Sequence, residues 1–142
     1  MIHFMKGYSA KAIIFAAMFS LIVPGLLTAQ NQVSLLEVDK IRESLTLNEK
    51  QYKTINPMIE QIKVILEEDK KIISKLRERF KSGDEPGFFE KIKVKLARDS
   101  RVNKIDDLLD DIENQLNDEQ KIRYKNIEKP VLKSLSKKEL TE

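Results

Sequence analysis

A five-residue pattern, Leu-Asn-x-x-Gln, occurs twice in this chain, as LNEKQ at Leu47–Gln51 and as LNDEQ at Leu116–Gln120. Each copy spells the start of an α-helix. Asn48 and Asn117 are N-cap residues, whose side-chain oxygen accepts from an orphan backbone N–H of the first turn. Gln51 and Gln120, three residues on, return a bond to the cap residue's own N–H, which completes a capping box. Leu47 and Leu116 precede the caps, where an apolar side chain pins the arriving chain. Leu47 can meet Tyr52 as a hydrophobic staple, whereas the second copy has Lys121 at that place. Thr46 with Glu49 offers a competing box one step earlier. Two helix starts of one design, separated by a stretch poor in glycine and proline, point to an all-α chain.

The stretch between them reads as two long helices. From Tyr52 the apolar positions run Ile55, Ile59, Ile62, Leu66, Ile73, Leu76 and Phe80, at alternating spacings of three and four, with Asp69 the polar occupant of the series. Met58, Ile65 and Ile72 form a second column beside this seam. That column is either the flank of a helix packed between two neighbours or an exposed apolar strip for a partner. Pro57 removes a backbone donor inside the helix and is expected to kink or break it. Lys81-Ser82-Gly83-Asp84-Glu85-Pro86-Gly87 is a turn, with Pro86 at an early position of the helix that follows. That helix is expected from about Pro86 to Gln115. Its seam reads Phe88 or Phe89, Ile92, Leu96, Val102, Ile105, Leu109, Ile112 and Leu116.

A short turn between two long helices makes an antiparallel hairpin, flanked here by short helices. Folding the chain about Asp84 brings Asp69, with Glu67 and Glu68, near Arg98 and Arg101, and Lys63 near Asp106 and Asp107. Pro130 should end or kink the last helix, and the KKELTE tail should fray.

The first residues read as an address. Lys6 and Lys11 precede the apolar run Ala12 to Val23, Pro24 and Gly25 break it, and Leu27-Thr28-Ala29 leads to Gln30. This is the layout of a secretory signal peptide cut after Ala29. The run is shorter than the roughly 20 apolar residues that a spanning helix needs. The formal net charge of +3 then shrinks, because the leader takes two lysines and no acid. A near-neutral remainder argues against nucleic acid as a partner. The chain has no cysteine, and its one histidine, His3, lies in the leader. Zinc and copper sites of the usual kinds, thiol chemistry and disulfides are therefore not expected, and no cofactor is implied. No Ser/His/Asp set or glycine-rich phosphate loop suggests an enzyme. The organisation expected is a signal peptide over 1–29, a short helical or flexible lead-in over 30–46, the helical domain over 47–136 and a frayed tail over 137–142.

With the twin motif, the hairpin and the leader in place, the chain resembles the Spy/CpxP family over about Leu45 to Leu135. Members carry a repeated LTxxQ motif, are small and all-helical, and are secreted to the bacterial periplasm. Here Asn48 and Asn117 stand where the family usually has threonine, and both residue types cap helices. The resemblance implies a curved, dimeric helical frame that holds unfolded or partly folded proteins without ATP. The contacts expected for such clients are Met58, Ile65 and Ile72, with Lys91, Lys93, Lys95 and Arg98 as a charged rim. It equally admits an adaptor that binds the sensor domain of an envelope-stress kinase. A structural coiled-coil protein of the envelope is the third reading. A chaperone of the Skp type would need a small β core, and no convincing strand is present.

Overall fold

The computed structural model describes residues 32–141, so the leader read over 1–29 lies outside the described residues. The described chain is all-α: α1 Val38–Ser44, α2 Glu49–Lys81, α3 Phe88–Asn114, α4 Asp118–Tyr124 and α5 Lys137–Thr141.

Both motifs start helices as their residues dictate. Asn48 Oδ1 accepts from Gln51 N at 2.8 Å and Gln51 Oε1 accepts from Asn48 N at 3.2 Å. Asn117 and Gln120 repeat the arrangement at 2.9 and 3.0 Å. The competing box at Thr46 does not form, because Thr46 lies beyond the end of α1 with φ at +52°. Its N–H reaches Glu43 O and the next N–H, of Leu47, reaches Arg42 O, which together satisfy the last carbonyls of α1. The same pair of bonds closes α2, where Gly83 has φ at +78°. The α2 end thus uses glycine for a left-handed residue and the α1 end uses a β-branched one.

Helix α2 runs unbroken through Pro57, against the expected break. Pro57 and Lys53, whose carbonyl loses its donor, both lie on the exposed side, where water can take the bond. Ile55, Ile59 and Ile62 are almost fully buried on the opposite side and hold the helix together across the proline. Helix α3 begins two residues later than expected, with Gly87 as N-cap and Phe88 as its first residue, so Pro86 belongs to the turn.

Helices α2 and α3 pack antiparallel. Arg101 and Arg98 reach Asp69 at 2.9 and 3.4 Å, and Arg79 pairs with Glu90 near the turn. The expected register therefore holds at Asp69. Lys63 instead pairs along its own helix with Glu60, at 2.8 Å.

The lead-in is part of the core. Leu35 N donates to Glu128 O and Glu128 N to Val33 O, each at 2.9 Å, forming one parallel bridge between Ser34 and Glu128. Leu35, Ile41 and Leu45 are wholly buried with Ile59, Ile62, Ile112 and Tyr124. The last motif helix ends at Tyr124, well before Pro130, and the chain then runs without helix until α5. The expected frayed tail is instead the turn α5, which packs on α2.

Candidate functional site

The two motifs are distant in sequence and adjacent in space. Gln51 Nε2 donates to Gln120 Oε1 at 2.8 Å, and Gln120 Nε2 donates to Gln51 Oε1 at 3.1 Å. Each amide also reaches backbone outside its own helix. Gln51 Nε2 donates to Gln115 O at 2.8 Å, and Gln120 Nε2 to Leu45 O at 3.1 Å. Arg123 adds a bond to the Thr46 hydroxyl at 3.0 Å. Leu47 and Leu116 are buried in the core. The capping residues thus form a neutral clamp that joins the starts of α2 and α4 to the end of α1. The glutamine amides are occupied by one another and by backbone, so Asn48, Gln51, Asn117 and Gln120 set structure here.

Asp69 is buried between α2 and α3, facing two guanidiniums. Arg101 Nε donates to Asp69 Oδ1 at 3.0 Å. Arg101 Nη2 and Arg98 Nη1 lie within ion-pair distance of the carboxylate, but neither N–H points at an oxygen well enough to be a hydrogen bond. Arg98 Nη2 turns instead to Lys133 O, at 2.7 Å. Two cations therefore share one carboxylate. Arg98, expected in a charged rim, is an internal tie between α2, α3 and the segment after α4.

Helix α3 has apolar residues on two faces. Ile105, Leu108 and Ile112 are buried, while Phe88, Phe89 and Leu96 are 72, 78 and 62 % exposed and Ile92 is 39 % exposed. The reason is one spacing. Alternating steps of three and four keep residues on one line, within about 20° per seven residues. Leu96 to Val102 is a step of six, which falls about 120° short of two full turns. The expected seam thus joined two faces of one helix. Its first part, Phe88, Phe89, Ile92 and Leu96, points away from α2, and Leu108 rather than Leu109 takes the buried place in the second part. Phe88 and Phe89 pack edge to face, with ring centroids 5.7 Å apart.

The exposed strip is bordered by lysines. Lys91, Lys93 and Lys95 all lie on the surface of the same half-helix. Lys91 pairs with Glu85 at 2.6 Å, and its Nζ lies 6.0 Å from the centre of the Phe80 ring. That contact holds the Glu85 carboxyl below its usual range. Lys93 and Lys95 form no ion pair among the described residues. Met58, Ile65 and Ile72 do not make an open strip. All three are half-buried, and Met58 and Ile65 pack against the core.

Among the described residues no group of acidic, histidine or cysteine side chains is placed to hold a metal, and no helix is long and apolar enough to cross a membrane. No protein-family model, curated protein or solved structure matches the chain.

Proposed function

We propose that the protein is a Spy/CpxP-type, ATP-independent holding chaperone of the periplasm. The observation that carries the reading is the exposed strip Phe88, Phe89, Ile92 and Leu96, bordered by Lys91, Lys93 and Lys95. An apolar patch of this kind, left outside a chain with a complete core of its own, serves contacts with other proteins. The lysines attract acidic segments of a client over several ångströms and speed encounter, while the small apolar strip limits affinity and so permits release. The twin Leu-Asn-x-x-Gln motif and the signal-like leader support the family and the compartment. The client face in this reading is α3, in place of the Met58, Ile65 and Ile72 column.

Light scattering from denatured clients, at near-equal concentration and without ATP, tests the proposal. The protein should suppress scattering for several unrelated clients, and I92E/L96E should lose most of that effect while keeping its helical circular dichroism. Unchanged scattering across all clients with the unaltered protein would refute it.

A further inference from the structure

A second feature lies beside the hairpin turn and shares Lys91 and Lys95 with the border of the outer strip. A cleft of about 510 Å³ opens between the ends of α2 and α3 and the C-terminal segment. It falls within the roughly 300–1,000 Å³ typical of small-molecule sites. Its walls are apolar and come from three parts of the chain: Leu76 and Phe80 from α2, Val94 from α3, and Leu135 and Leu140 from the C-terminal segment. Two depressions of similar volume elsewhere are lined mainly by charged and polar side chains such as Glu37, Asp39 and Lys40, or Arg42 and Glu43. A third, of about 440 Å³, lies on the other side of Arg98 and Leu135 and has Leu66, Ile73 and Leu132 in its walls but no lysine of the rim pair Lys91 and Lys95.

The charges around the tip cleft are unbalanced. Lys91, Lys95, Lys137 and Arg98 face it, against Glu85 and Asp99. Glu85 already serves two of the lysines, Lys91 at 2.6 Å and Lys137 at 3.4 Å. Arg98 shares Asp69 with Arg101, so a surplus positive charge sits under the cleft as well. Apolar walls with a cationic edge match a ligand with a hydrocarbon body and one anionic head.

We infer that the cleft bounded by Phe80, Val94 and Leu135 binds a free long-chain carboxylate, with the hydrocarbon chain against those walls and the head group at Lys95. Lys95 is the rim lysine without a carboxylate partner among the described residues, so the ligand completes its ion pair.

Calorimetric titration of the full chain with dodecanoate, below its micellar range, tests this. One molecule should bind saturably. Dodecyltrimethylammonium, with the same tail and the opposite charge, should bind at least about tenfold more weakly, and Lys95→Glu should weaken dodecanoate by about tenfold or more. Leu135→Glu should abolish binding while helical circular dichroism is retained. If Leu135→Glu loses its helicity, the exposed Lys95→Glu variant decides. The absence of saturable binding overturns the inference, as does equal affinity for the two head groups or unchanged affinity in Lys95→Glu. Loss of binding in I92E/L96E with full binding in Leu135→Glu would assign the ligand to the outer strip and also overturn it.

Discussion

Gln51 and Gln120 pair amide to amide, each donating to the other's carbonyl oxygen, at 2.8 and 3.1 Å. The pair links two helix starts that local bonding alone would leave independent. Each glutamine already closes its own capping box, so the cross-link uses the amide N–H groups that the box leaves over.

Removing this link should therefore cost more than a cap. Gln120 is 4 % exposed, and Gln120→Ala leaves Leu45 O without its donor and strips the Gln51 amide of both bonds to Gln120, leaving it only Gln115 O and Asn48 N. The expected loss is about 3 kcal/mol, against about 1–2 kcal/mol for the half-buried Gln51→Ala. The double variant should lose about 1 kcal/mol less than the sum, because both changes remove the same contact. Urea denaturation with an unchanged m-value measures all three. Strict additivity would show that the two boxes act separately.

Asp69 should be the least replaceable acid among the described residues. Asp69→Asn leaves two guanidiniums facing each other across α2 and α3 with no carboxylate, at a cost of about 3–5 kcal/mol. Replacing the whole group, with Asp69→Leu, Arg98→Met and Arg101→Met, should recover most of that loss, since no buried charge then remains. Chemical denaturation compares the two. A triple variant as unstable as Asp69→Asn would mean that the charges do more than satisfy one another.

Thr46 is held at φ +52°, a conformation that costs a β-branched residue energy. Thr46→Gly should raise stability by about 0.5–1 kcal/mol, the relief of strain exceeding the added freedom of glycine in the unfolded chain. It gives up only the exposed bond from Arg123. Gly83→Ala makes the reverse change at the end of α2 and should cost about 1 kcal/mol. Thermal unfolding of both variants should show opposite shifts.

Alkali should unfold the protein through Tyr124. Burial, aided by Glu113 and Asp110, pushes its hydroxyl well above the ordinary value of 10.0. The hydroxyl donates to Leu109 O, at 3.3 Å, and stays protonated in the fold while the unfolded chain ionises. A folded pKa above the unfolded one means stability is intact below about pH 10 and falls as pH rises beyond it. Lys129 runs the other way, because burial lowers its pKa below the ordinary 10.5, so losing its proton as pH rises toward that value relieves the cost. Tyr124→Phe should lose about 1 kcal/mol at neutral pH and flatten the fall above pH 10. Urea midpoints from pH 8 to 11 test this, and an undiminished slope in Tyr124→Phe would assign it to other groups.

The long seam of α2 was legible because Ile55, Ile59, Ile62, Leu66, Asp69, Ile73 and Leu76 alternate at three and four, and all but the half-buried Leu66 are buried. The caps were legible because the bonds they make are local. Their mutual contact was not, since nothing in Leu-Asn-x-x-Gln says where the spare amide hydrogens go. The lead-in is hard to read for a similar reason. Its first part is extended and finds its partner at Glu128, so it shows no helical period. The two faces of α3 carry a visible sign in the six-residue step from Leu96 to Val102, which separates the buried face from the open one. The open face therefore lies on α3 and not at Met58, Ile65 and Ile72, which are all half-buried, Met58 and Ile65 against the core.

The bridge from Ser34 to Glu128 also sets a timetable. A chain is made from its N-terminus, so Leu35 emerges long before the backbone groups at 128 that hold it. The turn at 81–87 and the two long helices can associate as soon as they appear, since their pairing is between neighbours in sequence. Leu35, and the bond from its N–H to Glu128 O, must wait until the chain through residue 128 has been released. The closure of this fold at Ser34 and Glu128 therefore comes after the hairpin has been made, and Leu35 stays unclaimed by its backbone partner until then.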